Sequence, residues 1–269
     1  MDQRIMKLFR TLQSEFPFLK DAKDNLYLIA RRGLSIPHEK DFKALTAIPE
    51  PAEGCFIDIG ANQGQSIESI LLVKPNAQIV SFEANPGLAQ KLVRRHKDRK
   101  NVRILAKGLS DSAGTFTLFV PSYKGFVYDA LASLDRVSAV SWINPETVFG
   151  FDPTRLTVAE LECSLDTLDA QQLAPIFVKI DVQGYEYNVL RGGKETLRRY
   201  EPILLVEAFR DDQRTVALAE ELGYQEYFFD GASLRAGMSK TGPNSFLITP
   251  RRIKTLTERL GGAPTVSAE

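Results

Sequence analysis

The stretch CFIDIGANQGQ, residues 55–65, decides the fold of this chain. The apolar residues on either side of Asp58 predict a buried strand, and Gly60 and Gly64 predict a sharp turn into a helix from Ser66 onward. Asp58 therefore lies at the carboxyl end of a strand, where open α/β sheets bind their ligands. The amide end of the following helix faces the same turn. This stretch predicts an α/β fold with a nucleotide-cofactor site.

The spacing of the turn, Asp-x-Gly-x-Asn-x-Gly, narrows the choice of cofactor. A phosphate-binding P-loop is disfavoured because no Gly-Lys-Ser or Gly-Lys-Thr tripeptide follows Gly64. A dinucleotide-binding turn would have glycine where Asn62 and Gln65 stand. An acidic residue just before the glycines suits a cationic ligand. S-adenosylmethionine carries an ammonium and a sulfonium, so the turn favours this cofactor.

A second predicted strand, residues 77–83, ends in Glu83 and is followed by a turn at Asn85 and Pro86. A carboxylate at this position can accept hydrogen bonds from both hydroxyls of a ribose. NAD and S-adenosylmethionine both contain such a ribose, so Glu83 supports an adenosine site without choosing between them. The alternative is that Glu83 caps the helix that begins near Pro86.

The composition is that of an ordinary globular protein, with 43% hydrophobic and 25% charged residues in a chain of 269. Basic and acidic residues number 34 each, so no overall positive charge argues for nucleic acid or an anionic membrane as a partner. The two cysteines, Cys55 and Cys163, exclude a disulfide scaffold and favour a reducing compartment. No apolar run approaches the roughly 20 residues that span a bilayer. We therefore expect a cytoplasmic protein without membrane insertion.

The chain divides into three predicted parts. Residues 1–50 form a helical extension in which apolar residues from Ile5 to Leu12 share one face. Residues 51–250 form the cofactor-binding domain, where strands and helices alternate and predict a parallel sheet covered on both faces. Residues 251–269 form a short helix and a flexible tail. The apolar face of the extension can pack on the sheet domain, close over the acceptor pocket or mediate dimerisation.

The domain contains an insertion at about residues 121–161. Just before it, residues 114–120 alternate with period two, which predicts an antiparallel strand or hairpin. The insertion itself is irregular and rich in Tyr, Phe and Trp among Gly and Pro. Loops of this length in compact domains are usually functional or disordered, and the aromatic residues argue against disorder. The insertion is therefore either a lid or a packing element whose aromatic residues cover the sheet.

Carboxylates follow several predicted strands, at Asp58, Glu83, Asp181 and Glu207. The carboxyl ends of parallel strands meet at one edge of the sheet, so these groups are expected to lie close together. Converging carboxylates are costly for folding alone, which makes a functional site the better explanation. Lys179 shares a strand face with Asp181 and can pair with one of them.

Six segments, in this order, resemble the FkbM-type S-adenosylmethionine-dependent methyltransferases. They are DIGANQG at 58–64, SFEANP at 81–86, GLSDSAGTFTLFV at 108–120, SLDTL at 164–168, FVKIDVQGYEYNVLRGG at 177–193 and ILLVE at 203–207. The resemblance covers about residues 37–250. It implies a class I methyltransferase, a Rossmann-like α/β fold with a seven-stranded, mostly parallel sheet whose last strand is antiparallel.

The resemblance also implies a function. S-adenosylmethionine would be the cofactor, and the methyl group would go to a hydroxyl of a sugar, glycan or secondary metabolite. The partner would be a small-molecule or saccharide acceptor. Two alternatives stay open, an NAD-dependent oxidoreductase on a Rossmann-like sheet and a non-catalytic adenosine-binding module. The oligomeric state is open as well.

The motifs and the resemblance together assign the site residues. The predicted cofactor contacts are Asp58, Gly60, Asn62, Gly64, Glu83, Ala84, Leu109, Ser110 and Asp181. The predicted catalytic residues are Asp181, Glu186 and Glu207.

Three further points bear on catalysis. Gln183 stands where the family usually has an acidic residue, so the identity of the general base is open. Glu186 is alternatively the cap of the helix near Gly184. His38, just ahead of the cofactor domain, is either a site residue or a surface residue. No metal is expected, because His and Cys do not cluster at metal-ligand spacing.

Overall fold

The computed structural model describes residues 36–48, 54–238 and 242–260, together with the separate residues 7, 11, 15, 31, 33 and 34. Its larger sheet is built from β1 (Cys55–Ile59), β2 (Ile79–Phe82), β3 (Val102–Leu105), β8 (Pro175–Ile180), β9 (Ile203–Glu207), β10 (Gln225–Phe229), β11 (Leu234–Ala236) and β12 (Asn244–Ile248). A smaller sheet is built from β4 (Gly108–Leu109), β5 (Gly114–Tyr123), β6 (Phe126–Val127) and β7 (Leu156–Asp166). The α-helices are α1 (Gln65–Val73), α2 (Pro86–His96), α3 (Arg136–Ser141), α4 (Glu186–Arg191), α5 (Lys194–Tyr200), α6 (Gln213–Glu221) and α7 (Pro250–Leu260).

The larger sheet has the strand order β3–β2–β1–β8–β9–β12–β10–β11. Its first five strands in this order are parallel, whereas β12 is antiparallel to both β9 and β10. The mixed α/β sheet is therefore confirmed, and its last strand is antiparallel as predicted.

The predicted number of seven strands is wrong, since eight strands of the described chain join this sheet. The additional strand is β11, which pairs antiparallel with β10 at the sheet edge. It is only three residues long, and so short a segment carries no alternating pattern that a sequence can reveal.

Alternate residues of each strand face opposite helical layers. Phe56 of β1 lies in a core formed with α1, α2 and α7, whereas its neighbour Ile57 lies in a core formed with α4, α5 and α6. All residues of β1 are buried. Full burial of one such side chain contributes about 1.5–3 kcal/mol. The two cores hold the sheet rigidly, so the residues at the carboxyl ends of its strands have fixed positions.

The smaller sheet confirms the antiparallel strand predicted over residues 114–120. β5 pairs antiparallel with β7 along its whole length, from Gly114 opposite Leu165 to Tyr123 opposite Leu156. The predicted bounds of the irregular stretch, 121–161, are therefore wrong at both ends. Much of β7 is exposed to solvent, and its many polar residues hide it from a search for apolar runs.

The aromatic residues of the insertion pack mainly against one another. The rings of Tyr123 and Phe151 stack with centroids 5.4 Å apart, and Tyr128 contacts both Phe126, at 4.8 Å, and Trp142, at 6.3 Å. Together with neighbouring aliphatic residues they form a small core separate from those of the main sheet. The packing interpretation therefore accounts for these aromatic residues.

Parts of the predicted terminal segments lie outside the described residues: Ile5, Leu8, Phe9, Leu12 and residues 261–269. The N-terminal part nevertheless touches the insertion, because Lys7 Nζ donates to the carbonyl of Pro145 at 2.6 Å and Thr11 Oγ1 accepts from the N–H of Phe149 at 3.0 Å. A 3₁₀ helix, Lys40–Ala47, adds side chains to the main core. The three-part division of the chain stays a prediction. No helix within the described ranges is long and apolar enough to cross a bilayer.

Candidate active site

The turn after β1 brings the ends of three strands together. The N–H groups of Gly60 and Ala61 donate to the carbonyl of Phe82 at the end of β2, at 3.0 and 3.1 Å. Gly60 has φ +84°, and a Cβ atom there would lie 1.8 Å from the carbonyl oxygen of Asp181, just after β8. Only glycine tolerates both the backbone angle and the close approach. The turn therefore fixes the carboxyl ends of β1, β2 and β8 side by side.

Glu83 follows β2 and holds the same turn from the other side. Its Oε2 atom accepts a hydrogen bond from the N–H of Asn62 at 2.6 Å, and its Oε1 atom accepts one from the N–H of Asn85 at 2.8 Å. Burial raises the pKa of Glu83 to about 7, although the two N–H groups oppose this. The cap of α2 is the side chain of Asn85, which accepts from the N–H groups of Gly87 and Leu88. The alternative that Glu83 caps this helix is therefore wrong.

A cavity of about 270 Å³ opens at the carboxyl ends of the strands. The predicted site residues that line it are Gly60, Asn62, Glu83, Ala84, Leu109, Asp181 and Glu207. Apolar side chains of Leu118 and Leu165, from the smaller sheet, lie on the same wall as Leu109. The cavity thus combines an apolar end with a row of carboxylates.

Three predicted cofactor contacts do not line the cavity: the fully buried Asp58, and also Gly64 and Ser110. Gly64, with φ +84°, begins α1 and packs against Leu92 of α2. Ser110 is buried, and its N–H donates to the carbonyl of Asp166 at 2.8 Å. Both residues shape the backbone that supports the wall.

Glu186 also lies away from the cavity wall. Its Oε1 atom accepts from the N–H groups of Val182, at 3.2 Å, and Gly184, at 3.3 Å. Burial raises the pKa of this carboxyl, and the backbone N–H groups oppose the shift. This geometry favours the alternative that Glu186 stabilises the turn before α4. Of the predicted catalytic residues, Asp181 and Glu207 are the two whose side chains lie at the cavity.

A buried lysine lies among the carboxylates. Lys179 Nζ donates to Asp181 Oδ2 at 3.0 Å and to the carbonyl of Gly60 at 3.3 Å, and lies 3.9 Å from Oδ1 of the fully buried Asp58. Burial lowers the pKa of Lys179, but the carboxylates of Asp181 and Asp58 outweigh it and raise the pKa above its ordinary value. Burial raises the pKa of Asp58, against the opposing charge of Lys179. Of the two carboxylates, Asp181 is therefore the closer partner of Lys179.

Asp181 and Glu207 form a coupled pair. Burial would raise the pKa of Asp181, but Lys179 and a hydrogen bond from Gln183 Nε2, at 2.8 Å, outweigh it and lower the pKa to about 2. Burial and the neighbouring Asp181 raise the pKa of Glu207 to about 8. The pKa of Asp181 thus lies below its ordinary value and that of Glu207 above it, so Glu207 is the carboxyl of the pair that holds a proton more readily. Gln183 helps to keep Asp181 ionised.

The insertion contributes to the cavity through its non-aromatic segment. Asp129, Ala132, Ser133 and Leu134 line the wall opposite the sheet. Gln63 Nε2 donates to Asp129 Oδ2 at 3.1 Å, and Ser133 Oγ donates to the carbonyl of Gln183 at 3.3 Å. These bonds join the insertion to two site turns, so this segment covers the cavity. The sequence does not mark Asp129 or Ser133 as site residues, because both lie in a stretch without a pattern.

The segment before β1 closes another side of the cavity with His38 and Glu39. The N–H of His38 donates to Ser69 Oγ of α1 at 2.8 Å. Glu39 Oε2 accepts from Asn244 Nδ2 at 2.7 Å, and Asn244 is the strand partner of Glu207. Burial raises the pKa of Glu39. The segment is therefore fixed beside β9. Glu39 was not predicted, although it stands next to His38 in the sequence.

No group of three or more His, Cys, Asp or Glu side chains in the described part of the chain is arranged to hold a metal ion.

A model of the family described as "Methyltransferase FkbM domain" matches residues 58–227. The chain belongs to this family. The predicted membership of the FkbM-type S-adenosylmethionine-dependent methyltransferase family is therefore confirmed, and with it the predicted cofactor. Family membership also decides between the two adenosine cofactors that Glu83 alone could not distinguish.

Over 166 residues the chain is 25% identical to the 2-O-methyltransferase NoeI of Sinorhizobium fredii. This match covers 60% of the FkbM chain and 65% of NoeI, which is just under two thirds of the relative's length. The crystal structure of methyltransferase FkbM from Methylobacillus flagellatus aligns with 72% of this chain and 43% of its own, at 14% identity and a TM-score of 0.44. Aeropyrum pernix fibrillarin, crystallised with natively bound S-adenosylmethionine, aligns with 76% of this chain and 71% of its own, at 11% identity and a TM-score of 0.38.

The cavity of this FkbM protein suits the chemistry of S-adenosylmethionine. One end offers a carboxylate, Glu83, to ribose hydroxyls. Beside it, apolar side chains of Ala84, Leu109 and Leu118 offer a surface to a purine ring. The glycine turn supplies close backbone approach, and the nearby carboxylates suit a ligand with positive charges.

Proposed function

We propose that this FkbM methyltransferase transfers the methyl group to a hydroxyl of a sugar, glycan or secondary metabolite. The observation that carries the proposal is a single cavity with two chemically different ends. Glu83 and the apolar side chains lie at one end, after β2, and Asp181 and Glu207 lie at the other, after β8 and β9. The cavity end at Glu83 suits the adenosine part of the cofactor. The end at Asp181 and Glu207 suits an acceptor that presents hydroxyl groups.

The proposed cofactor contacts follow from these positions. Glu83 accepts the ribose hydroxyls, and Ala84 and Leu109 flank the adenine. The methionine part lies along the turn from Gly60 to Gly64, supported from behind by the buried Asp58. Asn62, Ser110 and Asp181 complete the predicted set, with Ser110 and Gly64 acting through the backbone they shape.

The acceptor end supports a polyhydroxyl compound. Three carboxyl-bearing residues line it: Glu39, Asp181 and Glu207. Carboxylates accept hydrogen bonds from hydroxyl donors, and a row of them can orient neighbouring hydroxyls of one ring. The relative NoeI is a 2-O-methyltransferase by name, which also supports oxygen as the methyl acceptor. We propose a small-molecule or saccharide acceptor and no nucleic acid.

Little chemistry is required of the protein in this reaction. S-adenosylmethionine supplies a methyl group that its sulfonium has already activated. The protein has to hold the acceptor oxygen in line with that methyl group, exclude water and receive the hydroxyl proton. The insertion segment Asp129–Leu134 limits access of water from one side.

A trideuteromethyl-labelled S-adenosylmethionine tests the proposal. We expect a panel of neutral sugars, oligosaccharides and hydroxylated polyketides to contain at least one acceptor that gains the labelled methyl group on oxygen. Mass spectrometry detects the gain, and NMR of the product locates it. Boiled protein and acceptors in which the reactive hydroxyl is replaced by hydrogen serve as controls. Labelling on nitrogen or carbon only would contradict the proposal.

A further inference from the structure

We propose that His38 is the catalytic base that takes the proton from the acceptor hydroxyl. This inference rests on the proposed transfer of the methyl group to oxygen. Neither the family match nor the relatives assign a role to this residue, which precedes the matched range of 58–227.

His38 lies at the acceptor end of the cavity. Glu83 follows β2 and Glu207 follows β9, three strand spacings away in the order β2–β1–β8–β9, which is roughly 14 Å. Glu39, next to His38, is bonded to Asn244, the strand partner of Glu207. Lys179 and Asp181 are close enough to His38 to act on its charge. The imidazole therefore faces the end of the cavity remote from Glu83.

Hydrogen bonds fix the backbone at His38, whereas its imidazole ring can accept a proton. Its N–H donates to Ser69 Oγ at 2.8 Å, and the carbonyl of the preceding Pro37 accepts from Arg31 Nη1 at 2.8 Å. Among the described residues, no hydrogen bond engages either ring nitrogen of His38. A fixed backbone with an unoccupied imidazole facing a cavity suits a proton acceptor.

The other groups at this end are engaged. Asp181 accepts from Lys179 and Gln183, and burial together with the neighbouring Asp181 raises the pKa of Glu207, so that this carboxyl keeps its own proton to higher pH than usual. Glu39 accepts from Asn244. A carboxylate whose oxygens are already hydrogen-bonded to cations or amides gains little from a further proton. These groups orient the acceptor, and the imidazole receives its proton.

The charges around His38 favour its neutral form. His38 is exposed to solvent on one side, and its partial burial lowers its pKa, as do the cations of Arg31 and Lys179, against the opposing effect of Asp181. The other titratable residues that line the cavity are Glu39, Glu83, Asp129, Tyr185 and Glu207. A histidine with a pKa below its ordinary value is deprotonated at pH 7. It loses its ability to accept a proton only in more acidic solution, where the imidazole becomes protonated.

The proposed step balances without an outside reagent. The acceptor oxygen gains the methyl group as its O–H bond breaks, and the proton forms an N–H bond at the imidazole. The other product is S-adenosylhomocysteine, which keeps the electron pair of the broken carbon–sulfur bond. The proton then leaves the imidazolium to solvent.

NMR of the imidazole signals gives a readout that does not depend on turnover. The chain has two histidines, so the His38 signal can be assigned by its loss in His38→Gln. We expect the pKa of His38 in the wild-type protein to lie below 6.5, its ordinary value.

The pH profile of turnover gives a second readout. We expect kcat for the acceptor identified above to fall in acid with the same pKa as His38 and to be constant between that pKa and pH 8. A His38 pKa above 7, or a kcat that rises through about pH 8 as the Glu207 carboxyl ionises, would overturn the proposal.

Two variants complete the test. His38→Gln is expected to lower kcat by about 100-fold, to lose the acid limb of the profile and to bind S-adenosylhomocysteine as tightly as wild type. His38→Ala is expected to regain part of its kcat when imidazole is added.

Full kcat in His38→Gln would refute the role of His38 but leave the methyltransferase proposal intact. A wild-type protein that methylates no hydroxyl would instead refute the proposed function. If thermal denaturation shows either variant to be unfolded, the wild-type titration and pH profile decide.

Discussion

Replacement of Lys179 by methionine is expected to lower the free energy of unfolding by about 3–5 kcal/mol. The variant keeps the apolar stem but leaves the carboxylates of Asp58 and Asp181 without their buried cation, 3.9 and 3.0 Å away. Uncompensated buried charge is costly because the interior solvates it poorly. Urea denaturation at pH 7.5 measures the loss.

The pH dependence of this loss has a definite sign. The pKa of Asp181 is lowered from 3.8 to about 2, so its pairing stabilises the protein above pH 3.8 and the stabilisation disappears as pH falls towards 2. The raised pKa of Lys179 keeps its own contribution fully present below 10.5. For the Asp181 pairing, the difference between wild type and variant is therefore expected to shrink as pH falls from 3.8 towards 2.

Lys107→Met is the matched control. Lys107 Nζ lies 3.0 Å from Asp166 Oδ2, the same distance as in the Lys179–Asp181 pair, but its side chain is 32% exposed and that of Lys179 is 9% exposed. Water already solvates the surface pair, so its loss is expected to be no more than about 1 kcal/mol. Equal losses in the two variants would show that burial does not decide the strength of the Lys179 network.

Replacement of Glu83 by alanine is expected to weaken binding of S-adenosylhomocysteine by at least about 100-fold. Hydrogen bonds to a charged group contribute about 1.5–3 kcal/mol each, and the proposed role of the carboxylate is to accept from two ribose hydroxyls. The variant also frees the N–H of Asn62, which Glu83 holds at 2.6 Å. Titration calorimetry at pH 8 measures the change in Kd.

Glu83→Gln is the control for this prediction, because it keeps the size of the side chain and one oxygen acceptor. We expect a smaller loss than with alanine. Since the pKa of Glu83 is raised to about 7, its carboxylate form predominates above that pH. Wild-type affinity is therefore expected to weaken as pH falls from 8 to 6, and the glutamine variant is expected to lack this dependence. Wild-type affinity in Glu83→Ala would remove Glu83 from the site.

The parts of the fold that the sequence predicted are those with strong local patterns. β1, β8 and β9 are continuous apolar runs because both faces of the sheet are covered. The sequence predicted the glycine turn and Glu83, because both act on the backbone of the turn and stand at a fixed spacing along the chain. The resemblance to the FkbM family then predicted which cofactor binds.

What the sequence could not predict depends on contacts between distant residues. β11 is defined by its pairing with β10 and not by its own three residues. Glu186 turns its carboxylate to the N–H groups of Val182 and Gly184, and nothing in its spacing distinguishes this from a position facing the cavity. Asp129 lies at the cavity and accepts a hydrogen bond there from Gln63, which is far away in the chain.

The central claim is that S-adenosylmethionine binds in the cavity between Glu83 and Asp181, with its ribose at Glu83. A crystal structure of the complex with S-adenosylhomocysteine tests it most directly. We predict that both ribose hydroxyls lie within hydrogen-bond distance of the Glu83 carboxylate and that the sulfur atom faces the end formed by His38, Asp181 and Glu207. S-adenosylhomocysteine bound elsewhere, or a Glu83 carboxylate without contact to the ribose, would contradict the claim.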